Sequence, residues 1–289
     1  MKLGAHQSIE GGYHKGLERI RNIGGNCLQI FSTSPRGWNS PSIDEIVATQ
    51  FRNRKSELNI DPIYFHASYL INLADNGRVG SLSKLSLISE LFVTPKLNIR
   101  GSIVHLGSFK DSHMPSWLDR AKMVRDDLET RYAPLINNIK EILEQTPEES
   151  LFIIENAGNK KIAQRLEEIA IIVKKLQNAR VRVCLDTCHL YSAGYDLSSA
   201  KKLDDFLLMF DKLIGFEKLE VIHVNDSRDP FNSGRDRHAN IGEGTIGLKT
   251  FQLLLNHPIL QHLPLIIETP GFDKKGPDKK NLDILKSLI

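Results

Sequence analysis

The chain has 289 residues, of which 40% are hydrophobic and 25% charged, a composition typical of a globular protein of one large or two small domains. A net charge of +3 is too small to argue by itself for nucleic-acid binding, and no run of about 18 apolar residues suits a membrane span. The three cysteines show no secretory spacing, and the first residues contain no long apolar stretch, so we expect a cytoplasmic protein.

Eight short apolar segments recur along the chain, with amphipathic stretches between them. They cover residues 2–5, 27–31, 63–65, 101–104, 151–154, 181–185, 219–224 and 263–267. Continuous apolar runs of this length are typical of strands that are buried on both faces of a parallel sheet. Since no low-complexity stretch or long linker divides the chain, we expect residues 1–289 to form a single domain.

Helical signals lie between these segments. Residues 162–176 place apolar side chains such as Leu166, Ile169 and Val173 on one face of a helix, and a longer helical pattern runs from near Trp117 to residue 143. Residues 42–45 resemble a capping box that opens the second helix. Strands that alternate with helices favour a (β/α)8 TIM barrel, with an open doubly wound sheet as the alternative.

Side chains that can bind metal ions stand at the ends of six of these strands or in the loops that follow. They are His66, His105, Glu155, Asp186, His189, His223, Asp236, His238 and Glu268. In a TIM barrel the carboxyl ends of the strands meet at one mouth, where the active site is built. One histidine there is commonly a hydrogen-bonding group, but four carboxylates and five imidazoles would stay unsatisfied without a cation.

The types of ligand indicate which metals this mouth could hold. Imidazole and carboxylate ligands suit zinc, with manganese or iron as alternatives. Nine ligands exceed the three protein ligands of one catalytic zinc ion, so we expect two or three ions, whose positive charge suits a phosphodiester substrate. A zinc site on Cys184 and Cys188 is another interpretation, although no second cysteine pair completes it.

Several motifs resemble those of the endonuclease IV family, in order and along nearly the whole chain. They are Gly4-Ala-His-Gln-Ser8, Gln29-Ile-Phe31, Pro35-Arg-Gly-Trp38, His66-Ala-Ser-Tyr-Leu-Ile-Asn72, His105-Leu-Gly-Ser108, Ile154-Glu-Asn156, Leu185-Asp-Thr-Cys-His189, His223-Val-Asn-Asp-Ser227 and Asp236-Arg-His238. The resemblance implies a TIM barrel that uses three zinc ions to cleave DNA on the 5′ side of abasic sites. The products would be a 3′-hydroxyl and a 5′-deoxyribose phosphate, and cleaning of 3′ ends is a second activity that the resemblance allows.

The resemblance also implies how the ligands are shared. The first zinc ion would be held by His66, His105 and Glu155, the second by Glu155, Asp186, His223 and Glu268, and the third by His189, Asp236 and His238. A hydroxide between the first two ions would be the nucleophile, because bridging two metal ions lowers its pKa. Glu155, Glu268 and Asp186 are therefore the expected catalytic residues.

The implied partner is duplex DNA that contains abasic sites. A monomer is our default expectation, and we expect no contact with a membrane. Family members insert loop side chains beside the lesion, and Arg36, Tyr69 and Leu70 match those positions. An unstacked abasic nucleotide costs less to extrude than an intact one, which gives selectivity without reading a base. The alternative is packing at the barrel mouth for Tyr69 and Leu70 and a solvated charge for Arg36.

One loop departs from the family pattern. The segment after Glu155 lacks the usual glycine-rich turn, and Lys160 and Lys161 within it are candidate phosphate contacts.

Two other functions fit parts of the sequence. A sugar isomerase or epimerase uses one or two divalent ions on a similar barrel, but it has no need of Asp236 and His238 or of a loop with Arg36. A nucleic-acid-binding module without catalysis would be expected to lack some of the nine ligands. Both functions are kept as alternatives to the nuclease.

Overall fold

The eight apolar segments form parallel strands that close into a barrel in this computed structural model, which describes residues 1–109, 130–159 and 161–289. The barrel strands are β1 (Lys2–His6), β2 (Cys27–Phe31), β3 (Ile63–His66), β4 (Gly101–Val104), β5 (Leu151–Glu155), β6 (Val181–Asp186), β7 (Leu219–His223) and β10 (Pro264–Ile267). Strands β8 (Asp226–Ser227) and β9 (His238–Ala239) form a short antiparallel pair at the mouth. The predicted TIM barrel is confirmed, and the open sheet is wrong because β1 pairs with β10.

Helices lie between the strands and cover the barrel. They are α1 (Tyr13–Asn22), α2 (Glu45–Leu58), α3 (Arg78–Leu97), α4 (Ala133–Glu144), α5 (Leu166–Leu176), α6 (Thr187–Ser192), α7 (Ala200–Leu213), α8 (Leu248–Leu255) and α9 (Lys279–Lys286), with a 3₁₀ turn at Phe216–Lys218. Within the ranges that the structure describes, every helix is too short or too polar to span a bilayer. The helical pattern expected from Trp117 onward lies partly outside the described residues.

Two expected helix starts are wrong, for local reasons. Helix α5 begins at Leu166 instead of residue 162, because Ala163 has a φ of 71°, which a right-handed helix does not allow. Helix α2 begins at Glu45, and its cap is the Asp44 carboxylate, which accepts the Val47 N–H at 2.8 Å. The expected capping box two residues earlier is therefore not formed.

The barrel interior explains why the metal-competent residues meet. A layer of mainly apolar side chains fills it, namely Cys27, Tyr64, Ile103, Ile153, Cys184, Val221 and Ile266. Gly4 takes the matching place on β1, where a Cβ atom would lie 1.9 Å from the Cys27 carbonyl oxygen. Because side chains alternate along a strand, the residue two positions further also faces inward, one layer closer to the mouth. That layer consists of His6, Gln29, His66, His105, Glu155, Asp186, His223 and Glu268.

A buried carboxylate joins helix α3 to the barrel. The Ser32 hydroxyl donates a hydrogen bond to Oε2 of Glu90, and the Ser102 hydroxyl donates one to Oε1. Glu90 is only 5% exposed. Burial raises the pKa of Glu90 to about 7, and the two serine hydrogen bonds only partly oppose this effect. Folding therefore favours the protonated form of Glu90 relative to the unfolded chain.

We expect Glu90→Gln to change how stability depends on pH. A raised folded-state pKa gives stability that is complete below about pH 4.5 and is lost as pH rises through about 7. The glutamine variant lacks this titration, so its free energy of unfolding should gain on the wild type by about 2–3 kcal/mol between pH 5 and pH 8.5. Urea unfolding of both proteins across that range measures the difference. A difference that does not vary with pH would contradict the assignment.

Candidate metal centre

Glu155 is fully buried at the end of β5 and is surrounded by imidazoles. The Nε2 atoms of His66 and His105 each lie 3.2 Å from Glu155 Oε2. These three side chains form the first donor group, in which the ligand atoms all lie within 4.8 Å of one another. The group assembles because β3, β4 and β5 are neighbours in the barrel.

The second donor group shares Glu155 with the first. It contains Glu155, Asp186, His223 and Glu268. The Nδ1 atom of His223 lies 3.0 Å from Glu155 Oε1, 3.3 Å from Glu268 Oε2 and 3.9 Å from Asp186 Oδ2. Since the first group uses Oε2 of Glu155 and the second approaches Oε1, one carboxylate stands between the two groups.

The third donor group comes from helix α6, which carries His189, and from β9 with the residues before it, which carry His238 and Asp236. The Nε2 atom of His189 lies 2.9 Å from Asp236 Oδ1, and Nε2 of His238 lies 3.6 Å from the same oxygen. Asp186 caps helix α6 by accepting the His189 N–H at 2.9 Å, which holds His189 one turn beyond the strand end. His238 Nε2 also lies 3.5 Å from Asp186 Oδ2, so the third group adjoins the second.

A buried aspartate fixes the loop that leads into helix α8. The carboxylate of Asp226 accepts N–H hydrogen bonds from Gly242 at 3.0 Å, Gly244 at 3.1 Å and Ile246 at 3.1 Å. Asp226 also begins β8, which pairs with β9 at His238. Residues 242–247, which include three glycines, thus form the turn that leads into α8, and they support the strand pair that carries His238.

The donor atoms fit divalent ions better than they fit one another. Ligands 2.0–2.1 Å from a tetrahedral zinc ion stand about 3.3 Å apart, close to most of the imidazole–carboxylate distances in the three groups. His238 Nε2 is buried and has no hydrogen-bond partner, although two carboxylate oxygens lie 3.5 and 3.6 Å away. A buried nitrogen that lies beside carboxylates and has no hydrogen-bond partner fits the role of a metal ligand.

The electrostatics of the site agree with this arrangement. Burial opposes ionisation of Glu155 and Glu268, but nearby imidazoles, His223 above all for Glu268, outweigh it and hold the pKa of both carboxyls well below the usual range. Burial also works against protonation of His189 and His223, yet the surrounding charges raise the pKa of both rings. For His105, burial dominates and lowers the pKa to about 4. The carboxylates are thus ionised at neutral pH and can bind cations.

The three candidate DNA-inserting residues lie at the rim of the mouth. Tyr69 is 65% exposed and Leu70 is 38% exposed, and Arg36 is also exposed. The Tyr69 N–H donates to the Pro35 carbonyl at 3.2 Å, so the loops after β2 and β3 are joined next to Arg36. The Tyr69 ring also borders an open cavity of about 420 Å³ that reaches down to Glu268.

The other candidate residues have simpler surroundings. Lys161 is exposed, while Lys160 lies outside the described residues. Cys184 faces the barrel interior and Cys188 lies on α6, and within the described ranges no donor group contains both. Hence the described part of the site offers no two-cysteine zinc site.

The sequence reasoning missed three amides that hold the candidate ligands. Asn225 donates from Nδ2 to Asp186 Oδ2 at 2.6 Å, and its Oδ1 accepts the Glu268 N–H at 2.7 Å. Asn156 Oδ1 accepts the Asp186 N–H at 2.6 Å, and Gln29 Nε2 donates to Glu268 Oε1 at 2.5 Å. A signal was present, because each amide is a polar residue in or beside an otherwise apolar strand.

The whole chain resembles known proteins. A family described as "Xylose isomerase-like TIM barrel" matches residues 17–288. The chain is 35% identical to "Probable endonuclease 4" from Halothermothrix orenii over 288 residues, covering 99% of each protein. It is 36% identical to a protein of the same name from Haloarcula marismortui, covering 96% of this chain and 95% of that one.

Two solved structures have folds similar to that of this chain. Endonuclease IV from Thermus thermophilus superposes with a TM-score of 0.84 at 28% identity, covering 100% of this chain and 98% of the other. A 3-keto-D-glucoside 4-epimerase from E. coli superposes with a TM-score of 0.68 at 13% identity, covering 99% of both, and this second likeness concerns the fold alone. The sequence relatives, the family match and the similar structure together show that the chain belongs to the endonuclease IV family.

Proposed function

We propose that this protein is a DNA-repair endonuclease that hydrolyses the phosphodiester bond on the 5′ side of abasic sites, with three divalent ions, zinc foremost. The observation that carries the proposal is the set of three adjoining donor groups at one barrel mouth, joined through Glu155 and Asp186. The relatives named endonuclease 4 support the nuclease class. The products would be a 3′-hydroxyl and a 5′-deoxyribose phosphate, with 3′-end cleaning as a secondary activity.

The residues divide the chemistry by position. The three donor groups would each hold one ion, with Glu155 shared between the first and the second and Asp186 next to the third. When bound, such ions polarise a phosphoryl oxygen and lower the pKa of a coordinated water molecule. The chain's own part is to keep Glu155 and Glu268 ionised through the imidazoles around them. The amides of Asn225 and Gln29 hold Asp186 and Glu268 in place by hydrogen bonds.

The rim of the mouth suits an extruded abasic nucleotide. Tyr69 and Leu70 present exposed apolar surface beside the cavity, and the loop of Arg36 is fastened to theirs at Pro35. An inserted wedge can fill the gap that an extruded nucleotide leaves in the base stack. The arginine can approach a phosphate from the same side.

The decisive assay uses a duplex that contains one tetrahydrofuran abasic analogue. Purified protein should nick it without added magnesium and should leave an undamaged duplex of the same sequence intact. Product analysis should show a 3′-hydroxyl, and elemental analysis about three zinc ions per chain. The epimerase alternative predicts fewer ions and conversion of ketose sugars, and a chain that bound no metal and left the abasic duplex intact would defeat the proposal.

We expect Tyr69→Ala to lower kcat/KM for the abasic duplex by about 5- to 150-fold, since stacking of one aromatic ring contributes about 1–3 kcal/mol. Thermal stability should hardly change, because the ring is mainly exposed. The matched control is Phe92→Ala, which removes an aromatic ring that is 55% exposed on α3. Equal activity of the Tyr69 variant and the wild type would show that this ring is only packing at the mouth.

Three further properties belong to the same proposal. Residues 1–289 would form one domain, which is supported by the closure of β1 on β10. The protein would act as a monomer. A cytoplasmic location is supported by its three free, buried cysteines.

A further inference from the structure

Gln29 is a fully buried amide in the polar layer of the barrel, on β2. Its side chain has three partners. Nε2 lies 2.5 Å from Glu268 Oε1 and 3.0 Å from His6 Nδ1, while Oε1 lies 2.7 Å from His223 Nε2. Every hydrogen of this amide nitrogen and one lone pair of its oxygen are therefore engaged.

The chemistry of the partners fixes the orientation of the amide. An ionised carboxylate can only accept hydrogen bonds, so the nitrogen of Gln29 must face Glu268. The oxygen then faces His223, and since an amide oxygen only accepts, His223 must carry a proton on Nε2. A bound cation requires the neutral ring, and in that form the lone pair is left on Nδ1, the atom that faces Glu155 Oε1 and Glu268 Oε2 at 3.0 and 3.3 Å.

We propose that Gln29 is a positioning residue that selects the tautomer of His223 and holds Glu268, and so prepares the second donor group for its ion. The inference rests on the proposed function, because it takes His223 and Glu268 to be ligands. The amide binds an Nε2–H on one side and a carboxylate on the other, so a single side chain aligns two donor atoms from β7 and from the end of β10.

The same amide also determines the state of His6. Its N–H group donates to His6 Nδ1, which leaves the proton of the neutral His6 ring on Nε2. His6 lines the cavity at the mouth, and its ring packs against Phe31 with centroids 4.4 Å apart. Gln29 thus gives both histidines the tautomer that is protonated at Nε2. In His223 this leaves Nδ1 free to face the second donor group, whereas in His6 the Nδ1 atom accepts the hydrogen bond from Gln29.

The first test reads the tautomers directly in the zinc-loaded enzyme. In protein with ¹⁵N-labelled histidine, two-bond ¹H–¹⁵N spectra should show the His6 and His223 rings protonated at Nε2 and not at Nδ1. Gln29→Met keeps a side chain of similar size but removes the amide. It should shift the ¹⁵N signals of His6 and His223 and leave the signals of the other histidines unchanged. A wild-type spectrum with His223 protonated at Nδ1 would overturn the inference, whether or not the variant folds.

The second test measures zinc affinity by competition with a chromophoric chelator. Outer hydrogen-bond partners of metal ligands commonly contribute 10–100-fold to affinity, so Gln29→Met should weaken the most affected ion at least about tenfold. The control Thr94→Val also removes a buried side-chain hydrogen bond, from Thr94 Oγ1 to Ser150 Oγ, but far from the donor groups. Its zinc affinity and histidine spectrum should match those of the wild type.

The outcomes separate this inference from the proposed function. Suppose that the wild type binds zinc and nicks the abasic duplex, while Gln29→Met keeps the wild-type zinc affinity and histidine spectrum. Then only the role of Gln29 is wrong. If the wild type binds no zinc, the proposed function itself fails. A loss of affinity in Thr94→Val as large as that in Gln29→Met would show a general packing effect and would also overturn the positioning role.

Discussion

Replacement of Glu155 by glutamine should lower kcat/KM on an abasic duplex by at least about 10³-fold, which corresponds to about 4 kcal/mol of transition-state stabilisation. The reason is the position of the carboxylate. One oxygen faces His66 and His105, and the other faces His223 at 3.0 Å, so two donor groups depend on it. A glutamine side chain supplies one ligating oxygen and an NH₂ group that cannot bind a cation.

Metal analysis should accompany these kinetics. Zinc content is expected to fall by at least one ion per chain in Glu155→Gln, because one of the two groups loses its shared ligand. The matched control is Glu141→Gln on the outside of α4, which removes only a surface ion pair with Lys84 and should behave as the wild type. Full activity with full zinc content in Glu155→Gln would contradict the assigned role.

Prolonged chelation should abolish incision and lower the melting temperature by at least about 8 °C. A ligand kept a thousandfold above its dissociation constant stabilises the folded state by about 4.1 kcal/mol, and each kcal/mol shifts Tm by roughly 2–4 °C in a domain of this order of size. The physical cause is the crowding of ionised carboxylates around Glu155 and Glu268, which cations relieve.

The experiment compares scanning calorimetry of chelated, zinc-restored and magnesium-treated samples. Zinc should restore both stability and activity, whereas magnesium should restore neither, because it prefers an octahedral shell of oxygen ligands. Asp236→Asn, which alters only the third donor group, should show a smaller chelation effect than the wild type. Chelated protein with an unchanged melting temperature and full activity would rule out a metal centre at the mouth.

Much of the fold could be predicted because strand and ligand positions follow from one periodicity. Apolar runs located each barrel strand to within one or two residues, and the residue at the end of each run showed which side chains reach the mouth. The start of α5 could not be predicted in this way. Residues 162–165 carry a helical pattern, but Ala163 has a left-handed backbone conformation and its N–H donates a hydrogen bond to the Glu168 carboxylate. The helix therefore begins only after these residues.

The site was harder to predict where it depends on partners distant in sequence. Each metal-competent residue could be named, since its chemical type is visible at a strand end. The supporting amides stand out as polar residues in or beside apolar strands, but their roles could not be predicted, because Gln29, for example, contacts residues 194 and 239 positions further along the chain. Only the closed barrel brings these partners together, and no local pattern marks such a contact.

The alternation that places the polar layer above the apolar layer also limits how the gene can change. Deleting a single codon within β5 would turn Glu155 from the lumen toward the helices, because neighbouring side chains face opposite ways. Several codons added between β8 and β9 would leave that parity intact. Length variation in descendants of this protein should therefore be confined to the connections, while every barrel strand keeps its count of residues.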